Sequence, residues 1–230
     1  MLTDWIGIAA GLAAAGLSAW VAIRQKRIEA EVQERMLRLE RDLRAEEVLT
    51  RYREPLARAA FDLQSRLYNI LRKDFLGKFA NGKYADEAIW TTLFRLAQYF
   101  GWTEILRRDI QFLSFPEDDE TRRVAQLQSD IARCFLDDER GLALMIWSDE
   151  QRALGERMIV SENGTAYCMG YSAFRDRCEE TFAPWRERLE TGLADEVALG
   201  RLTDVQHLLC DLVERLDERR VRYTRDLERA

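Results

Sequence analysis

The sequence predicts a mainly α-helical protein: one N-terminal transmembrane helix, a helical stalk, and an α-helical cytosolic domain with a small β-hairpin. Three observations lead there. Residues 5–23 form an uncharged apolar run. Beyond them, apolar residues recur at helical spacing. Only three prolines and twelve glycines interrupt a chain rich in the helix formers Leu, Ala, Arg and Glu. The expected organisation is an anchor over 1–23, a stalk over 24–52 and a cytosolic domain over 53–230.

The anchor, Trp5 to Ile23, contains nineteen residues without charge. At about 1.5 Å per residue they span about 28 Å, close to the thickness of a hydrocarbon core. Trp5 and Trp20 stand near its ends, where indole rings favour the headgroup boundary. Asp4 lies before it, and Arg24, Lys26 and Arg27 follow it. Positive charge stays inside, so the N-terminus is expected outside and the bulk of the chain in the cytoplasm. A cleaved signal peptide needs basic residues before the apolar run, and residues 1–4 have none. Gly7, Gly11, Ala15 and Ala19 form one stripe of small residues, and Ala10, Ala14, Ser18 and Ala22 another. Such stripes let helices approach closely in lipid, which predicts a homo-oligomer and makes Gly7, Gly11, Ala15 and Ser18 candidates for anchor packing or pore lining.

From Arg24 to Tyr52 the chain is dense in charge and lacks Gly and Pro. Glu31–Arg35, Glu34–Arg38 and Glu40–Arg44 are i,i+4 pairs that support a helix. Val32, Met36, Leu39 and Leu43 fit about two heptads of a coiled-coil seam. Packing of the same face on the protein's own domain is the alternative.

Pro55 predicts a break or a helix start, and Leu56 to Leu71 an amphipathic helix. A loop is expected around Gly77 to Gly82, then a helix from about Asp86 to Leu113 with a bend at Gly101. Ser114-Phe115-Pro116-Glu117 reads as a capping box for a helix reaching Phe135, with acids 117–120 suiting its N-terminus. Ser148-Asp149-Glu150-Gln151 reads as a second box ahead of 152–158. Asn163-Gly164, between Met158-Ile159-Val160 and Ala166-Tyr167-Cys168-Met169, signals a hairpin. Helices are expected again from Ser172, interrupted at Pro184, with the last over Thr203 to Leu216.

Composition excludes several functions. A net charge of -6 argues against non-specific coating of nucleic acid. Cys134, Cys168, Cys178 and Cys210 have no CxxC spacing and read as buried free thiols. His207 is the only histidine; it reads as structural, and no zinc ligand set can be assembled. GxSxG, HExxH and nucleotide-binding fingerprints are absent, so no catalytic residues, metal or cofactor are expected and the protein is not expected to be an enzyme.

The most informative local feature is a basic loop. Of 35 basic residues only four are lysine, and Lys73, Lys78 and Lys83 fall within eleven residues. Phe75, Phe79 and Tyr84 are interleaved with them around Gly77 and Gly82. Flexible cations beside aromatic faces can hold phosphates and stack bases. Lys73, Lys78, Lys83, Phe79 and Tyr84 are therefore the candidate ligand-binding set, for a nucleotide or short oligonucleotide. The alternative is a solvated loop anchored by its aromatics. Arg107-Arg108 and Arg122-Arg123 read as solvated helix faces that add positive potential if folded nearby. For Gln151, Arg152 and Glu156, ligand contact and an internal polar network both stay open.

Four stretches, YREPLARAAFDLQSRLYNIL from Tyr52, YFGWTEILRRDIQFL from Tyr99, EQRALGERMI from Glu150 and CMGYSAF from Cys168, resemble a broad, mostly uncharacterised bacterial family with one N-terminal membrane helix and a helical cytosolic domain. The layout also resembles channel-forming effectors of anti-phage defence such as that of the Hailong system. The resemblance implies a homo-oligomeric effector of the bacterial inner membrane, an ion channel controlled by a nucleotide or oligonucleotide signal. A membrane-tethered scaffold or interaction module without a pore is the alternative.

Overall fold

The computed structural model describes residues 2–79, 82–110, 119–139, 141–217, 222–223 and 227–230. The chain divides into two units, Met1–Arg44 and Ala45–Ala230.

The first unit holds the opening part of helix α1 (Leu2–Arg72). Most side chains of the apolar run Trp5 to Ile23, including Gly7, Gly11, Ala15 and Ser18, lie outside the described residues, and among the described residues no helix is long and apolar enough to cross a membrane. In the stalk, Ile28, Val32, Met36, Leu39 and Leu43 are each more than half exposed. Glu34 pairs with Arg38 one turn on, as expected from their spacing.

The second unit is mainly helical. After α1 come α2 (Phe75–Phe79), α3 (Ala85–Ile110), α4 (Asp119–Leu136), α5 (Ser148–Met158), strands β1 (Ile159–Glu162) and β2 (Thr165–Cys168), then α6 (Tyr171–Arg175), α7 (Cys178–Thr181), α8 (Ala183–Leu193) and α9 (Glu196–Leu216). α3 is the central element, packing chiefly on α5 and also on α8 and β2, while α4 packs chiefly on α9.

The expected break at Pro55 is absent: α1 runs through it. An internal proline costs about 3 kcal/mol. Burial of Tyr52, Leu56, Ala59, Ala60 and Leu63 on either side offsets this, since each large apolar side chain contributes about 1.5–3 kcal/mol. The Tyr52 hydroxyl also donates to Asp109 Oδ2 at 2.6 Å, joining α1 to α3.

Gly101 does not interrupt α3. Its role is close approach, because a Cβ there would lie 2.5 Å from Cys168 Sγ and 3.0 Å from Met158 Cβ. The Ser114–Glu117 capping box falls outside the described residues. The second box shifts by one residue: helix α5 begins at Ser148, and the Trp147 N–H donates to the Glu150 carboxylate at 3.0 Å. Part of the expected loop before Gly82 is instead the short helix α2.

The hairpin forms where the turn residues placed it. Glu162 pairs with Thr165 and Ile159 with Cys168. Asn163 and Gly164 carry φ of 51° and 80°, the positive angles that a two-residue turn of right-handed twist requires. Pro184 stands in the first turn of α8, where its missing N–H is harmless. The last helix starts at Glu196, earlier than expected, because the Asp195 carboxylate accepts from the Val197 N–H at 2.8 Å and caps it.

The four cysteines are free thiols, three of them buried and Cys134 half-buried. His207 Nε2 lies 2.8 Å from the Ala230 carbonyl oxygen, consistent with a structural role.

Candidate ligand-binding cleft

Three helices of the second unit frame a cleft of about 490 Å³, within the usual range for small-molecule sites. Its α3 wall is Tyr99, Phe100, Thr103, Glu104, Leu106 and Arg107, and its α4 wall is Ala125, Gln128, Ser129 and Ala132. The α4 residues follow i, i+3, i+4, i+7 spacing, so they share one helix face. Three of the four are Ala or Ser, and such short side chains leave space in front of α3. Ser148, Gln151 and Arg152 of α5 complete the lining.

α5 is held against both walls. Gln151 Nε2 donates to the Ala132 carbonyl at 3.0 Å and to the Ile146 carbonyl at 2.8 Å. Gln151 is thus a brace between α4 and α5. The Glu104 side chain is 2% exposed and accepts from Arg107 and Arg108, each at 2.7 Å. Arg108 continues to Glu156 of α5 at 2.8 Å. Burial works to raise the Glu104 pKa, but the two guanidinium hydrogen bonds outweigh it and hold the carboxyl below its usual range. Arg107 and Arg108 therefore belong to an ion-pair network and are not a free basic face. Arg152 is held more loosely, 3.5 Å from Asp149, whose side chain is almost wholly exposed.

The polar chemistry of the cleft is unfinished. The Tyr99 hydroxyl, the Thr103 hydroxyl and Gln128 Nε2 are buried without a hydrogen-bond partner among the described residues. Each such group costs about 1–3 kcal/mol relative to a bonded one, and native folds carry few of them. Burial pushes the Tyr99 phenol well up; the Thr103 hydroxyl, one turn on, is near enough to pull it partly back but falls short of hydrogen-bond geometry. Tyr99 and Gln128 line one cleft from different helices with their hydroxyl and amide nitrogen buried beneath its surface, and its walls are mostly apolar through Phe100, Leu106, Ala125 and Ala132.

The lysine loop is a different place. Phe79 lies 5.1 Å from Phe75 and 6.4 Å, edge-on, from Tyr84, ring centre to ring centre. These rings, with Glu87, Ala88 and Thr91, line a dimple of about 150 Å³. The three ammonium groups do not line it. Lys78 donates to the Lys73 carbonyl at 2.9 Å, Lys73 lies 5.5 Å from the Tyr68 ring centre, and Lys83 lies 4.7 Å from that of Tyr84. The structure brings Phe79 and Tyr84 together, while each lysine finds a local partner.

The chain matches no protein-family model, no curated protein and no solved structure.

Proposed function

We propose that this chain is a membrane-tethered, self-assembling effector whose helical domain responds to a small ligand held between α3, α4 and α5. The observation that carries the reading is the cleft, where three residues of the lining carry buried polar atoms without partners among the described residues. Three of the six such atoms among the described residues belong to this lining, and a ligand that supplies the missing bonds recovers their desolvation cost. Tethering rests on the uncharged run Trp5 to Ile23, flanked on its far side by Arg24, Lys26 and Arg27. Self-assembly rests on the small-residue stripes of that run and on the exposed stalk seam. In its fullest form the bundled anchors conduct ions, and the ligand is the nucleotide-derived signal that gates them in anti-phage defence.

Purified full-length protein in liposomes tests this reading. The full chain should stay with the membrane through an alkaline carbonate wash, and a chain beginning at Arg24 should be released. Cell extract should trigger ion flux through the full chain only. Retention without flux would remove the pore and leave a tethered interaction module; release of the full chain by carbonate would remove the tether.

A further inference from the structure

The groups that line the cleft also specify what fits it. Resting on the ligand-binding reading above, we infer that the cleft takes a small molecule with an apolar body, hydrogen-bond acceptors on its inner edge and one anionic group at the rim, met by Arg152.

The inner edge follows from the unpartnered atoms. Gln128 Nε2 can only donate, and the Tyr99 and Thr103 hydroxyls each bring a proton that no described residue accepts. These atoms lie just beneath the cleft surface, and rotation of the side chains presents them to a ligand edge bearing ring nitrogens or carbonyl oxygens, whereas a hydrocarbon satisfies none. The body follows from the walls, where Phe100, Leu106, Ala125 and Ala132 bring apolar surface.

The anionic group follows from the charges at the cleft. Glu104 is the acid in the lining, and its carboxylate is already engaged by Arg107 and Arg108. A cationic ligand would find that carboxylate occupied. Arg152 lines the cleft, and its partner Asp149 is 3.5 Å away with a side chain 95% exposed. An exposed pair of that kind is worth little, so a ligand phosphate or carboxylate takes the guanidinium at small cost and gains bidentate geometry.

Matched pairs of probes test this. Adenosine and adenosine monophosphate differ by a phosphate; quinoline-2-carboxamide and quinoline-2-carboxylate differ by a carboxylate. Both bodies carry ring-nitrogen acceptors. Binding of each to full-length protein in nanodiscs is measured by calorimetry at about 0.1 M salt. The anionic member of at least one pair should bind at least about tenfold more tightly than its neutral partner, and the pair that shows this identifies phosphate or carboxylate as the group recognised. Arg152→Gln should abolish that preference. Gln128→Leu should weaken both members alike, and Ala132→Trp, with its helical signal intact, should abolish binding by filling the space. Equal affinity within both pairs, a preference that survives Arg152→Gln, or no binding by any of the four probes overturns the inference. If equal affinities are nonetheless lost in Ala132→Trp, the cleft is a binding site of different ligand chemistry. If binding is indifferent to Ala132→Trp, the cleft reading fails as well.

Discussion

Gly155 lies so close to Phe100 that a Cβ on its backbone would fall 2.5 Å from the Phe100 carbonyl oxygen. No other residue type permits that approach without movement of α3 against α5. Since those two helices carry two sides of the cleft, the contact sets the spacing of the candidate site. Gly155→Ala should cost about 1–3 kcal/mol through overpacking, despite the helix propensity gained. Gly200, in α9, is the control, because nothing lies within 4 Å of its Cβ position; Gly200→Ala should stabilise by up to about 1 kcal/mol. Urea unfolding of both variants checks the pair, and equal shifts would remove the close-approach account.

Arg201 is 1% exposed and donates to a fan of backbone carbonyls: Ala143 at 3.2 Å, Asp137 at 2.8 Å, and also Cys134 and Gly141. It thereby ties the C-terminal end of α4 and the turn that follows onto α9. Arg201→Met keeps much of the volume but strips these carbonyls of their donor, and should cost about 3–5 kcal/mol. Arg201→Lys should recover only part of that, because an ammonium cannot reproduce the planar fork. Thermal unfolding of the two variants measures the difference; a fully stable Arg201→Met protein would show that water replaces the fan without loss.

The depressed pKa of Glu104 makes a pH signature. A carboxyl whose folded-state pKa lies below its unfolded value contributes stability that is present above the ordinary glutamate range and lost as pH falls through the folded pKa. Glu104→Gln should therefore cost about 2 kcal/mol at pH 7, where two charge-assisted hydrogen bonds become neutral ones. The gap to the wild type should narrow below about pH 4. A gap that stays constant down to pH 3 would show that Glu104 is not charged in the folded protein.

The exposed stalk seam predicts where two copies meet. Leu39 belongs to the seam with Val32, Met36 and Leu43, whereas Leu37 is off it though 48% exposed. Arg35 and Glu40 fall at flanking positions that bring opposite charges together in a parallel, in-register pair. Leu39→Cys should form an intermolecular disulfide on mild oxidation of membranes, and Leu37→Cys should not. Equal cross-linking at both positions would reduce the stalk to a solvated helix.

Local rules made much of the fold legible. The hairpin was readable because Asn163-Gly164 carries its own backbone preference, and α4 because its apolar period is clean. Pro55 misled because a local penalty of one residue is outweighed by the burial around it, which no window of sequence displays. The candidate cleft was less legible for a similar reason. The lysine cluster is conspicuous in sequence, and each exposed ammonium has a neighbour within its own segment. The groups without answers, Tyr99, Thr103 and Gln128, lie on two helices and are brought to one cleft only by tertiary packing. A signal existed: polar residues at the helical spacing of apolar neighbours, Thr103 one turn from Tyr99 and Arg201 among Ala198, Leu202 and Val205. A polar residue on a buried stripe marks either a brace or a binding group, and only the partners distinguish the two.

The space between α3, α4 and α5 is proposed to hold a small molecule. The most direct measurement compares wild-type and Ala132→Trp protein, each full-length, immobilised and incubated with the same small-molecule extract of cells. After a brief wash the protein is denatured, and what it releases is analysed by mass spectrometry. The wild type should release at least one compound, with an acidic group and an apolar ring or chain, that the filled variant does not. Identical release profiles from the two proteins would contradict the claim.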